Sequence, residues 1–569
     1  MSRGSSRREL VVAGTGTALA ATVAWTTPAH ARLLPGGGAR KLGRGRFADG
    51  VASGEPGPTA VTFWSRLRTD RPRSAARLVV ARDAELRQVV ATTVVPTSSA
   101  VDHTLKARVD GLQPARHYWY AWLSADDVSP VGRTKTTPPA DSAAPIALGF
   151  SSCQKLPTGF FNAHHDALTH DLDLYAFLGD YTYEYDETRN DQSSRLHRPG
   201  YVDPASNDLA SYRAKVRLYR SDPGLRELHR LHPVIHTWDD HEVENDYTDG
   251  EPAPSRQQRA AGYRVHTEWL PRLGIAGDRQ RVYRGLRLGR TAELLMLDER
   301  QYRTTEEGRP VSPPTILGRR QMDWLKGRLQ TSPARWKLVG NPDMIAPLGI
   351  VLTGAEGVTV NPDQWDGYPA DRTEILTHLA SKRIDDVAFL TGDIHIYMAN
   401  HLVHQGRSVA TEYIGGSVTS SGIPEDLNGV AAPVIRTVNP HIAFLEGALH
   451  GWAIARADAR ELRVEYRVSD IRKDRAPSRT LATFVQRTGE NRLEQTTRSG
   501  IRGARILGED PADAPAPAGS ALARRREAVA RAAQRDAARR HEAAEARARR
   551  ARSRAGTRAT TTLDRRSAR

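Results

Sequence analysis

The 569-residue chain has a single cysteine, Cys153. That excludes an intramolecular disulfide framework, so an exported form has to rely on packing or on bound metal for its stability. There is no glycine-rich P-loop and no internal repeat. The Gly416-Ser417 turn lacks the Gly-x-Ser-x-Gly spacing of a nucleophile elbow. Beyond the N-terminus no apolar run reaches the roughly 20 residues of a spanning helix. Excess charge is missing from the body of the chain, although the formal total is +16. Residues 521–569 hold sixteen arginines against five acids, a net +11, and residues 1–31 a net +2, which leaves +3 for residues 32–520. The body therefore gives no ground for a nucleic-acid partner, and no nucleic-acid-binding domain is evident. Nothing in the sequence specifies an oligomeric state. A chain of this length predicts two or more folded units.

The two ends differ in kind. Residues 1–31 open with Ser6-Arg7-Arg8-Glu9-Leu10, continue through a weakly apolar stretch to about Trp25, and reach Ala29-His30-Ala31. Paired arginines, a short apolar core and an A-x-A site predict a twin-arginine (Tat) signal peptide. Gly14 and Gly16 lower its hydrophobicity, which suits a leader and not a span. The expectation is export by the Tat machinery to an extracellular or wall-associated location. At the other end, Asp510–Pro517 reads as a linker. Residues 510–569 form an Ala/Arg-rich low-complexity segment with helix propensity and hardly any large apolar residue to dock. It reads as a solvated helix or a disordered basic tail. It either touches anionic wall polymer or lipid headgroups or has no task of its own.

Between the ends, residues 45–138 show short alternating runs parted by turn residues, among them Thr59–Trp64, Ala76–Ala81 and His117–Trp122. This pattern predicts an antiparallel β-sandwich. Gly111-Leu112-Gln113-Pro114 ahead of His117-Tyr118-Trp119-Tyr120 resembles the approach to a late strand of a fibronectin type III domain. Residues 145–490 alternate strands and helices. Strand candidates are Ile146–Phe150, Leu174–Leu178, Val234–Trp238, Ala292–Leu297, Trp336–Val339 and Val387–Leu390. A helix over Gly318–Leu329 puts Met322, Leu325 and Leu329 on one face. The fold class expected is thus multidomain, a β-sandwich followed by a layered α/β domain.

Four polar motifs stand where apolar runs end: Ser151-Ser152-Cys153-Gln154, Gly179-Asp180-Tyr181-Thr182-Tyr183-Glu184, Asp239-Asp240-His241-Glu242 and Gly392-Asp393-Ile394-His395. Strand ends are where an open α/β sheet builds its sites. A thiol, a phenol, carboxylates and imidazoles are costly to bury together unless they hold metal. Asp180 can bridge two cations and Tyr183 reaches the same place. A phenolate at neutral pH implies a hard, highly charged ion such as Fe³⁺, and a thiolate at Cys153 needs a cation nearby. Asp240 can ligate a second cation. His241 can hydrogen-bond a phosphoryl oxygen or protonate a leaving group. Asn245 and Asp246 offer oxygens of the kind calcium prefers. Strand-like alternation predicts that Asp393 and His395 face one side. Asn341 is a lesser candidate, because Gly-Asn-Pro also makes a plain turn.

In these motifs, in their order, and in Gly50–Pro56, Trp336–Asn341 and Glu412–Ser420, the chain resembles the PhoD-like secreted alkaline phosphatases and phosphodiesterases over residues 45–490. The resemblance implies a fibronectin-like β domain before a calcineurin-like metallophosphoesterase sandwich, with an iron–calcium site related to that of purple acid phosphatases. It implies Cys153, Asp180, Tyr183 and His395 around Fe³⁺, and Asp180, Asp240, Asn245 and Asp393 toward Ca²⁺, with His241 and Asp240 as the catalytic pair. Where many members carry an amide after Gly-Asn, this chain has Pro342-Asp343.

The expected activity is hydrolysis of phosphomonoesters or phosphodiesters by in-line attack of a metal-activated hydroxide, with no covalent intermediate. Substrates of this kind are small phosphoesters, lipids or wall polymers. Two other readings stand beside it: a phospholipase D-type phosphodiesterase, and an exported protein that binds wall or lipid phosphates without turnover.

Overall fold

A computed structural model describes residues 42–186, 198, 203–248, 254–275, 277–304, 313–350, 358–359 and 361–496. The leader and the basic tail expected from the sequence lie outside the described residues.

Two large mixed sheets form the middle of the molecule. In the first the strand order is Leu493–Thr496, Arg479–Arg487, Glu461–Ser469, His450–Ala457, Ile146–Ser151, Leu174–Leu178, Pro233–Thr237, Val51–Gly54, Ala60–Arg66 and Thr104–Asp110. In the second it is Arg284–Leu288, Ala292–Met296, Trp336–Asn341, Val387–Thr391, Arg407–Gly415, Tyr397–His404 and Ile442–Glu446. The central strands of each run parallel. Both faces of a parallel sheet are covered, so its strands read as unbroken apolar runs. The pleat then divides each run between two layers. Leu174, Ala176 and Leu178 join the core between the sheets, with Leu294, Met296, Leu338, Ala388 and Leu390 from the facing sheet. Their neighbours Tyr175 and Phe177 face the helices outside the first sheet. Leu295, Val339, Val387 and Phe389 face those outside the second. The result is four layers, helix–sheet–sheet–helix.

The helices follow from spacing and capping. The predicted helix at Gly318 spans Gly318–Thr331 and buries Met322, Leu325 and Leu329, the expected apolar face, together with Gln321. Leu209–Tyr219 starts at Asp208, whose side chain accepts from the Ser211 N–H while Ser211 reaches back, a reciprocal cap.

The β-rich N-terminal region departs from a free-standing module. The sheet of Val89–Ser98, Arg73–Ala81, His117–Leu123 and Gly132–Lys135 packs on Val51–Gly54, Ala60–Arg66 and Thr104–Asp110. Phe63, Leu78, Val80, Tyr120 and Trp122 lie between the two. The second of these layers is also the edge of the large sheet, because Ser53 and Gly54 pair in parallel with Pro233 and Val234.

Candidate metal centre

The strands Ile146–Ser151, Leu174–Leu178 and Pro233–Thr237 of one sheet, and Trp336–Asn341 and Val387–Thr391 of the other, point their carboxyl ends to one place. The loops leaving them carry Cys153, Asp180, Asp240, Asp343 and Asp393. Their close approach depends on two glycines. Gly179 has φ +100, and a Cβ there would stand 2.5 Å from Asp239 Cβ. A Cβ on Gly392 would stand 2.7 Å from Ser152 Oγ. Cys153, Asp180, Asp246, Asp393 and His395 all have φ between 53° and 59°. That left-handed region is sparsely used by such residues and concentrates at functional sites.

Among the described residues four groups of ligand atoms result, each with its atoms within 4.8 Å of one another: Cys153, Asp180 and His395; Asp180, Asp240 and His241; Asp239, Asp240 and Asp393; Asp240, Asp246 and Asp363. Tyr183 joins the first, its hydroxyl donating to Asp180 Oδ2 at 2.8 Å and lying 3.2 Å from His395 Nε2. His395 Nδ1 faces the Ser421 carbonyl oxygen at 2.9 Å, which leaves Nε2 for the centre. His241 Nδ1 lies 2.8 Å from Glu184 Oε2, so its Nε2 is the free edge. Glu242 Oε1 accepts from the Tyr181 N–H at 2.7 Å, and Oε2 from the Asp239 and Asp180 N–H groups at 2.9 and 3.2 Å. One carboxylate thereby holds the Asp180 loop and the Asp240 loop together.

The donor set fits cations. Asp180 Oδ1, Asp239 Oδ2 and Asn341 Oδ1 are buried oxygens with no hydrogen-bond partner among the described residues. Buried acceptors are seldom left in that state unless an ion or water meets them. Electrostatics agrees. Burial, then Asp240 and Asp239, push the Asp180 carboxyl well above the usual carboxylate range. Burial, then Asp239 and Asp240, do the same to Asp393. Burial, then Asp180 and Asp393, raise the Cys153 thiol, and burial, then Asp180, raises the Tyr183 phenol. Bound cations would reverse every one of these shifts. For Asp240 burial works upward, but His241 and Arg300 outweigh it and hold the carboxyl below its ordinary value. For His241 burial works downward, but Asp240 and Glu184 outweigh it and raise the imidazole. Loss of solvent around the ring pushes His395 down to about 4.

Two of the sequence expectations meet a different geometry. Asp393 and His395 are not on an extended exit. The strand ends at Thr391, and both residues sit in a tight turn with φ +58. They enter different ligand groups, His395 with Cys153 and Asp393 with Asp240. Asn245 stands apart: it is exposed, and its Oδ1 accepts from the Tyr185 hydroxyl at 2.7 Å. Asn341 is the last residue of its strand rather than part of a loose turn, and it is fully buried.

Sequence reading assigned no role to Glu184, Asp239 or Glu242, although all three lie inside quoted motifs. It passed over Asp298–Arg303, where acids and arginines follow a predicted strand just as they do at Asp239. Asp363 and Gln364 follow none of the strands expected from the sequence, and nothing in the local pattern marks them. Asp363 nevertheless accepts from Arg300, and Gln364 Nε2 donates to Asp393 Oδ2.

Comparison with known proteins gives a consistent result. A family model described as PhoD-like phosphatase matches residues 148–466, and one for the N-terminal domain of such phosphatases matches residues 31–138. Alkaline phosphatase D of Bacillus subtilis (strain 168) is 30% identical over 499 residues, 80% of this chain and 83% of that protein. A solved structure of PhoD superposes with a TM-score of 0.72 at 29% identity, covering 80% of this chain and 93% of its own. A purple acid phosphatase from yellow lupin seeds reaches a TM-score of 0.51 at 11% identity, over 76% of this chain and 73% of its own, a likeness of fold alone.

Proposed function

Because the chain belongs to the PhoD-like phosphatase family and is a phosphoric ester hydrolase, we propose that it cleaves phosphomonoesters and phosphodiesters at the centre around Asp180 and Asp240. The observation that carries this is the unpartnered Asp180 Oδ1, buried between the Cys153–His395 group and the Asp240–His241 group. Cys153, Asp180, Tyr183 and His395 would hold Fe³⁺, the phenol being the donor that points to a hard, highly charged ion and the thiol giving up its proton to the same cation. Asp180, Asp240 and Asp393 would hold Ca²⁺, with Asn245 joining them only after its side chain leaves Tyr185. Bound there, the cations supply Lewis-acid neutralisation of the phosphoryl oxygens and an acidified water.

The chain's own residues do the rest. Glu184 fixes the His241 ring through Nδ1, so that Nε2 can donate to a phosphoryl oxygen or to the leaving group. Tyr183, whose ring centroid lies 4.0 Å from that of His241, limits the ring's rotation. Glu242 fixes the spacing of the Asp180 and Asp240 loops before substrate arrives, which removes reorganisation from the reaction itself.

The paired arginines and A-x-A site support secretion through the Tat route, and with it substrates met outside the cell: small phosphoesters, lipid headgroups or wall polymer. The two-part match at residues 31–138 and 148–466 supports a division into an N-terminal β domain and a catalytic domain.

The test is elemental analysis of exported protein alongside hydrolysis of a phosphomonoester and a phosphodiester, with and without chelator. Iron plus calcium, with activity lost in Cys153→Ala and Asp180→Ala, is the expected result. Full occupancy without turnover on either ester would replace catalysis by phosphate binding, and metal-free protein with undiminished activity would sink the reading.

A further inference from the structure

The turn Asp298–Arg303 leaves the strand Ala292–Met296 and is buried at Asp298, Glu299, Arg300 and Arg303. Between them these side chains take hold of three segments around the centre, at Trp238-Asp239, at Asp343 and at Asp363–Trp365. Asp298 Oδ1 accepts from Trp238 Nε1 at 2.9 Å, next to Asp239. Glu299 accepts from the Asp343 N–H at 2.7 Å and from Trp365 Nε1 at 3.0 Å. Arg303 pairs with Asp343 and Asp363.

Arg300 does most. Its Nε donates to Asp239 Oδ1 at 2.5 Å, Nη1 to Asp363 Oδ1 at 2.9 Å, and Nη2 to Asp363 Oδ2 at 2.7 Å and to Asp343 Oδ1 at 3.1 Å. A planar fork spends its donors on three carboxylates at once, a geometry that an ammonium cannot reproduce. Two consequences reach the centre. Asp239 is gripped by Oδ1 only, its Oδ2 is buried and unpartnered among the described residues, and the residue shares a ligand group with Asp240 and Asp393. Asp363 is gripped by both oxygens, which fixes the next residue, Gln364, whose amide donates to Asp393 Oδ2.

We propose that Arg300 is a positioning residue for the carboxylate side of the centre: it turns Asp239 Oδ2 toward the Asp240–Asp393 position and, through Asp363 and Gln364, sets the rotamer of Asp393. It touches neither substrate nor metal. The proposal rests on the metal-centre reading above, and its test separates the two.

Arg300→Lys keeps the charge and loses the fork, whereas Arg300→Ala leaves a space shaped for a guanidinium ion. In the full-length metal-loaded protein, Arg300→Lys should lower kcat at least tenfold with KM changed less than threefold. Calcium per chain should fall while iron per chain stays at the wild-type value. Millimolar guanidinium should restore Arg300→Ala severalfold, and methylammonium should not. Unchanged calcium content with unchanged kcat would overturn the proposal, as would equal loss of both metals, which would mark a merely structural residue. Equal rescue by both cations would overturn it too, because charge alone would then suffice. Should the Arg300 variants fail to fold, Gln364→Leu cuts the same chain of contacts at its link to Asp393, and it must shift calcium content and kcat in the same direction. A wild-type protein that binds no metal would instead refute the centre itself.

Discussion

Gly179→Ala offers a test in which the structure fixes the size of the effect. Two penalties are expected. The first is conformational, since φ +100 is open to glycine and costs an L-residue about 1–2 kcal/mol. The second is steric: the new Cβ would meet Asp239 Cβ at 2.5 Å and the Asp239 nitrogen at 3.0 Å, against about 3.5–4.0 Å for relaxed carbon contacts. Relief requires the Asp180 loop or the Asp239–Asp240 loop to move by about 1 Å. Overpacking of this kind costs about 1–3 kcal/mol of stability, and a 1 Å misplacement in a site costs about 100-fold in rate. Gly111→Ala separates the two. Gly111 also has positive φ, +79, but nothing lies within 4 Å of its Cβ position. In chemical unfolding Gly111→Ala should therefore show only the conformational penalty and keep full activity. Gly179→Ala should lose about 1–3 kcal/mol more and fall about 100-fold in kcat/KM. If the two variants lost equal stability, or if Gly179→Ala kept more than about a tenth of wild-type kcat/KM, the close-approach argument would be refuted.

Two further outcomes follow from the geometry. Glu184→Gln keeps the size of the His241 partner but removes its charge, and losses at such supporting residues run about 10–100-fold. The fall should appear in kcat with KM little changed, and an unaltered kcat would mean that Glu184 does not orient the imidazole. Asp166 belongs to none of the ligand groups of the centre. Burial raises its carboxyl, but His170, Arg467 and Trp452 outweigh it and hold it well below the usual carboxylate range. Arg467 donates to its two oxygens at 2.9 and 3.0 Å, and Trp452 Nε1 donates at 2.9 Å. A folded-state value below the unfolded one means stability that is fully present above about pH 4 and is lost as pH falls further. Asp166→Asn should cost about 2–3 kcal/mol at pH 7, and the gap to wild type should close in unfolding curves taken below pH 4. A gap that stays constant with pH would show that the ion pair contributes nothing.

The parts of the fold that were legible in the sequence are those whose burial is two-sided. Leu174–Leu178 was bounded correctly because every residue in it is buried, so the apolar run and the strand coincide. The strands Glu461–Ser469 and Arg479–Arg487 were not predicted. They are antiparallel additions at the sheet's edge, and Glu461–Ser469 alternates buried and half-buried residues, a weaker signal in a chain rich in arginine. In the centre, Cys153, Asp180, Asp240 and His241 could be read because each lies within four residues of a strand's end. Asp363 and Gln364 could not, since they reach the centre from a segment whose place is set by Arg300 and Arg303 rather than by a strand. The same limit explains Asp393 and His395. Period-two reasoning holds only while the backbone is extended, and a single left-handed residue ends it.

The sharing of one sheet by distant parts of the chain governs how this protein can be made. Val51–Gly54 finds its neighbour at Pro233–Thr237, and Ile146–Ser151 finds one at His450–Ala457. Loop-closure entropy must be overcome before either pairing returns any contact energy, which slows folding and prolongs exposure of half-formed intermediates. A ribosome that has released only the first few hundred residues holds a sheet with one flank bare, an invitation to edge-to-edge association. Expression of the catalytic strands without the first hundred residues, or without the last strands, should therefore yield aggregates, not a smaller enzyme.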